Sequence, residues 1–127
     1  MIRAFPNEQV TGWVESRDEK TLFLSVLTLG EIYKGISKLS EPKKKSDIKL
    51  WMENDLRRRF EKRILEIGED IAEIWGEIQG KAEKKGRKMP AIDSLIAATA
   101  IFHGMTLVTR NTSDIEISGV SLFNPWG

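Results

Sequence analysis

The chain has 127 residues, 40% of them hydrophobic and 31% charged, which is ordinary globular composition, excludes a disordered or fibrous protein and predicts one domain over 1–127. With no cysteine, a disulfide frame and thiolate chemistry are excluded, and a reducing, cytoplasmic setting is the expectation. The formal net charge of +1 names no partner by itself, and no run approaches the 18 or so apolar residues of a membrane span, so no membrane role is expected.

Leu22-Phe23-Leu24-Ser25-Val26-Leu27 reads as a short buried strand. Thr28 then starts a helix over 28–39, with Ile32, Ile36 and Leu39 on one face. After Lys43-Lys44-Lys45, Ser46 or Asp47 caps a second helix over 46–62, in which Met52, Leu56 and Phe60 recur every four residues. Ile64-Leu65-Glu66-Ile67 is a strand candidate closed by Gly68. An amphipathic helix follows over 69–85, with Ile71, Ile74, Trp75, Ile78 and Ala82 at 3.6 spacing. Ala72, Gly76 and Gly80 form a second stripe, small enough to let another helix approach. Pro90 suits a first helical position, and the helix it opens carries Ile, Leu and Ala on every face, which predicts burial all round. That helix ends at His103-Gly104, where His103, the one histidine, reads as a C-cap and not as a catalyst. Strands at 105–109 and 120–123 complete the chain before Asn124-Pro125-Trp126-Gly127. Strands alternating with helices predict an α/β domain with a mainly parallel sheet.

In such sheets ligands bind beyond the carboxyl ends of the strands. Three acids fall at that edge: Glu31 in the first turn after strand 22–27, Asp93 in the first turn of the apolar helix, and Asp114 in the loop after strand 105–109, with Asn111 nearby. Each has a plainer explanation. Thr28-Leu29-Gly30-Glu31 is also a capping box, Asp93 complements a helix dipole, and Asp114 suits a turn. The plainer explanations leave unexplained why all three share one edge. Carboxylates without histidine or cysteine are hard-oxygen donors, suited to Mg²⁺ or Mn²⁺. Three basic clusters, at 43–45, at 57–59 with 62–63, and between 81 and 88, read either as solvated helix faces or as a phosphate-binding surface.

Four segments together carry a family resemblance. They are Phe23-Leu24-Ser25-Val26-Leu27-Thr28-Leu29-Gly30-Glu31-Ile32-Tyr33-Lys34-Gly35-Ile36, Ile92-Asp93-Ser94-Leu95-Ile96-Ala97-Ala98-Thr99-Ala100, Leu107-Val108-Thr109-Arg110-Asn111 and Asn124-Pro125-Trp126. In this order and spacing the chain resembles a PIN-domain ribonuclease of the VapC toxin type, in the subgroup of FitB-like and plasmid-stability proteins. The resemblance runs from Phe5 to Trp126. It implies an α/β/α sandwich, a divalent-metal endoribonuclease that cuts RNA as the toxin of a type II toxin–antitoxin pair, a homodimer and a VapB-like antitoxin. Carried over by position, Glu31 and Asp93 match two of the family's metal-site acids. Relatives place the last one either where Asn111 stands or where Asp114 stands. Thr109 would orient the attacking water and Arg110 would meet the phosphate.

The sequence departs from that pattern at its start. Members open with a central strand ending in Asp-Thr-Asn, whose Asp is a metal ligand, while Met1-Ile2-Arg3-Ala4-Phe5-Pro6-Asn7 resembles the stretch after it. The departure predicts a chain that begins at an internal methionine or a truncated relative. It also predicts that strands 22–27 and 105–109 pair directly or receive a foreign strand, with Glu31, Asp93 and Asp114 still converging. The rival function is a catalytically incomplete module that binds an antitoxin or dimer partner without cleaving RNA. A receiver-like reading is set aside, because it needs a Lys after the last strand, where Asn124-Pro125-Trp126 stand.

Overall fold

A strand that runs straight into a helix needs a residue that is still extended yet satisfies the first free N–H groups, and Ser25 does both. In the computed structural model, which describes residues 21–125, Ser25 sits at φ −76° and ψ 144°, and its Oγ accepts the Leu27 N–H at 3.1 Å. Ser25 ends strand β1 (Leu24–Ser25) and starts helix α1 (Val26–Ser37). The strand is therefore shorter than its apolar run, and the helix starts two residues before Thr28. Removing this cap with Ser25→Ala should cost about 1 kcal/mol and lower the thermal midpoint by roughly 4 °C in a calorimetric scan.

Helix α2 (Pro42–Trp51) begins on Pro42, four residues ahead of the expected Ser46 cap, because proline is well placed in a first turn. The chain stays helical through a π-helical stretch (Met52–Leu56) and a last α-turn (Arg57–Arg59). The π-stretch keeps the four-residue apolar spacing on one face as it packs. Residues four apart drift round an α-helix of 3.6 residues per turn, whereas the wider i→i−5 bonding turns less per residue. Met52, Leu56 and Phe60 thereby stay on one face, all buried, in a cluster with Leu22, Leu24, Leu29 and Ile36.

Strand β2 (Ile64–Leu65) lies parallel to β1, with Leu24 opposite Ile64 and Ser25 opposite Leu65. Arg63 ties this corner: its Nη1 donates to the Leu22 carbonyl at 2.9 Å and its guanidinium lies 4.9 Å over the Phe60 ring. Helices α3 (Glu69–Lys84) and α4 (Ala91–Phe102) pack together over a second cluster that includes Ile71, Ile78, Ala82, Ile96, Ala97 and Ala98. The stripe of Ala72, Gly76 and Gly80 is exposed, and nothing lies within 4 Å of a Cβ built on Gly76 or Gly80.

Helix α4 corrects one expectation. It is not buried all round, since Ile92, Ile101 and Phe102 are 41%, 36% and 46% exposed at its two ends. Only its middle, 94 and 96–100, sits beneath the sheet and α3. Pro90 is its N-cap and not its first helical residue. His103 does form the C-cap, followed by Gly104 at φ 64°, the left-handed position that favours glycine.

Strand β3 (Leu107–Val108) pairs in parallel with β4 (Leu122–Phe123), through bonds from the Leu107 N–H to Ser121 O and from the Thr109 N–H to Phe123 O. Helix α5 (Thr112–Ile115) and a 3₁₀ turn (Glu116–Ser118) connect them. The parallel order is as expected, but direct pairing of 22–27 with 105–109 is not found among the described residues. Among the described residues the strands form two parallel pairs, β1–β2 and β3–β4. A cavity of about 450 Å³ separates them, bounded by Leu22, Phe23 and Ser25 on one side, Leu107 and Val108 on the other, and Thr99 and Ala100 of α4. Residues Phe5 and Trp126, which bound the family resemblance, and the whole 1–20 segment lie outside the described residues.

Candidate metal site and phosphate-binding groove

Because α1 starts at Val26, Glu31 is its sixth residue and stands beyond the first turn. The capping-box explanation for Glu31 therefore fails, since Ser25 is the cap and Thr28 is already helical and buried. Glu31 is half-buried and lines a groove of about 500 Å³ between α1 and the start of α4, together with Leu27, Gly30, Lys34, Lys38 and Ile92. Lys34 and Lys38 follow Glu31 at i+3 and i+7, so all three occupy one stripe of α1. That spacing is visible in the sequence and was the signal for two cations not singled out there.

Asp93 follows Ile92, in the first turn of α4, and is half-buried. Pro90 makes no side-chain cap bond, and the Asp93 carboxylate in the first turn meets the positive end of the helix dipole. Below it, Ser94 is wholly buried and bonded to Trp75 and Gln79 of α3, at 2.9 and 2.6 Å. The local pattern places Trp75 on the inward face of α3 but gives no sign of its bond to Ser94 or of Gln79's, because the contact joins two helices.

At the end of β3, Thr109 is buried and its Oγ1 accepts the Asn111 N–H at 3.1 Å. Asn111 is half-buried and precedes α5 without making a side-chain cap bond. Arg110 is exposed. Asp114 lies within α5 and not in a loop, and it too is exposed, because Ile115 beside it is the residue that α5 buries. Among the described residues no group of three or more carboxylate or imidazole side chains gathers around a common ion position. The expected convergence of Glu31, Asp93 and Asp114 is therefore not seen there.

The donor chemistry nevertheless fits a hard divalent cation. The side chains flanking the groove and the end of β3 offer carboxylate, carboxamide and hydroxyl oxygens, and His103 lies at the opposite end of α4. Mg²⁺ keeps several waters and is commonly held by only one or two carboxylates, so a large acid cluster is not required. The basic clusters divide by role. Arg57 Nη1 donates to the Tyr33 hydroxyl at 3.3 Å and Arg63 braces β1, so both serve the fold. Arg87 and Glu116 form an exposed ion pair at 3.8 Å, of a kind that contributes little stability.

Residues 4–118 match the PIN domain family, and the chain belongs to it. PIN-domain ribonucleases are divalent-metal enzymes. Over nearly its whole length the chain is similar to the toxin FitB of Neisseria gonorrhoeae, at 35% identity across 98% of this chain and 90% of that protein. It is 28% identical to the VapC ribonuclease Y4jK of Sinorhizobium fredii, across 98% of this chain and 89% of that one. Among solved structures it superposes on the FitAcB complex from Neisseria gonorrhoeae with a TM-score of 0.92 and 35% identity, covering 98% of this chain and 89% of that one.

Proposed function

We propose that the chain, acting as one domain over 1–127, is a Mg²⁺- or Mn²⁺-dependent endoribonuclease and the toxin of a type II toxin–antitoxin pair in the cytoplasm. The observation that carries this reading is the groove that sets Glu31, Lys34 and Lys38 of α1 against the start of α4, where Asp93 stands. Glu31 and Asp93 would hold the metal, directly or through its waters. The bound ion supplies an activated water and stabilises charge on the scissile phosphate. Lys34 and Lys38 attract the RNA backbone along the same face, without reading its sequence. Thr109 and Asn111 orient water or substrate from the end of β3, Arg110 meets the phosphate, and Asp114 serves as the more distant acid.

The names of the relatives support the class of reaction and the toxin role. A VapB-like antitoxin and a second copy of the chain would cover apolar side chains that stand exposed here, such as Leu50, Trp51, Ile92 and Phe102. No described helix is long and apolar enough to cross a membrane.

One observation favours a second reading, in which the chain binds partners without cleaving: no three acids converge among the described residues. A single experiment separates the two. Cleavage of a mixed RNA substrate should appear with Mg²⁺ or Mn²⁺ and vanish in excess EDTA, and it should return when the ion is restored. Cleavage that persists in EDTA removes the metal from the mechanism. No cleavage at millimolar Mn²⁺, with co-purification of the product of an adjacent gene retained, supports the binding module instead.

A further inference from the structure

The N-cap of helix α4, Pro90, accepts the Ser94 N–H through its carbonyl at 3.0 Å but has no side chain that can bond the helix start, and the turn it opens carries Asp93. That turn is further held by the hydroxyl of Ser94, buried with no measurable exposure. Ser94 Oγ donates to the Ala91 carbonyl at 2.9 Å and accepts from Trp75 Nε1 at 2.9 Å and Gln79 Nε2 at 2.6 Å. A hydroxyl has one hydrogen and two lone pairs, so its bonding capacity is filled. Gln79 Nε2 also donates to the Met89 carbonyl at 3.2 Å, so both amide hydrogens are used as well. The network therefore ties three pieces together: α3, the connection before α4, and the first turn of α4.

We infer that Ser94, with Gln79 and Trp75, is a positioning device for Asp93: it fixes the height and rotation of the first turn of α4, and thereby where the Asp93 carboxylate stands relative to Glu31. The inference rests on the proposed metal role of Asp93. A ligand carboxylate on a frayed helix start would sample several positions, and an ion held by few carboxylates depends on each being in place. Partners that orient a metal ligand typically matter by 10–100-fold in metal affinity when removed. A structural network that only joins α3 to α4 would cost stability and leave metal affinity alone.

The test uses the full chain and measures bound Mn²⁺ by electron paramagnetic resonance, alongside KM and kcat for RNA. Ser94→Ala should raise the Mn²⁺ dissociation constant about tenfold. KM for RNA should stay within about twofold, with kcat reduced at low Mn²⁺ and recovering as Mn²⁺ is raised. Gln79→Met, which leaves the Ser94 hydroxyl in place, should shift the constant in the same direction by less. Leu56→Ala, in the other cluster, serves as the control for lost stability and should leave the constant unchanged. If Ser94→Ala and Gln79→Met bind Mn²⁺ like the parent while Asp93→Asn does not, the positioning role is overturned and the metal reading stands. If the parent chain binds no Mn²⁺, or Asp93→Asn binds it equally well, the metal reading itself is overturned, and this inference with it.

Discussion

Asp93→Asn should reduce metal-dependent RNA cleavage by roughly 10²–10³-fold or more, in line with the loss of one preorganised charged group from a reacting site. The substitution keeps the side chain's size and shape in a half-buried position, so the fold should tolerate it. What the helix loses is a favourable charge in its first turn, about 0.3–1 kcal/mol. The thermal midpoint should therefore fall by less than roughly 4 °C. Cleavage rates and a calorimetric scan on the same preparation decide the matter. Full activity would take Asp93 out of the mechanism, and a collapse of the midpoint would make it a folding residue.

Met52→Ala should be among the most destabilising single changes, at about 2–5 kcal/mol, lowering the thermal midpoint by roughly 10 °C or more. Met52 is completely buried at the point where α2 passes into its π-helical stretch, packed in the cluster with Leu24, Leu29, Ile36, Leu56 and Phe60. Truncation there removes apolar area and leaves a void that the surrounding side chains fill only in part. Two residues earlier, Leu50 is 53% exposed, and Leu50→Ala should change stability by no more than about 0.5 kcal/mol. The two variants differ in chemistry by little and in burial by nearly everything. Equal midpoints for both would mean that the π-helical phase of this segment is wrong.

The helices were legible wherever their apolar spacing was strong. The run at 69–85 became α3 (Glu69–Lys84), and the apolar segment with its His103-Gly104 end became α4 with the predicted C-cap. The strands were legible in position and parallel direction but not in length. The apolar run 22–27 extends past the strand into α1, where Val26 is exposed and Leu27 half-buried, and Ser25 decides the boundary through a hydrogen bond rather than through hydrophobicity. Four-residue spacing at Met52, Leu56 and Phe60 marked a buried face, although the π-helical turn that aligns it comes from packing against α1 and β1.

Glu31 and Asp93 could be singled out from the sequence because both fall at the edge of the predicted sheet where ligands bind. The four segments around them carried the family resemblance, and the match of residues 4–118 to the PIN domain agrees with it. Periodicity, caps and local motifs are properties of neighbours along the chain, so they marked the long helices, the positions of the strands and the candidate acids, but not the four-residue helix α5, which stands where a loop was expected. Tertiary structure alone decided the rest. Asp114 is turned to solvent because Ile115 takes the inward position on a four-residue helix, the stripe of Glu31, Lys34 and Lys38 becomes one wall of a groove because the start of α4 closes the other side, and Ser94 meets Trp75 and Gln79 only because α3 and α4 pack face to face. Among the described residues the two strand pairs are not bonded to each other, and α4 borders the cavity between them.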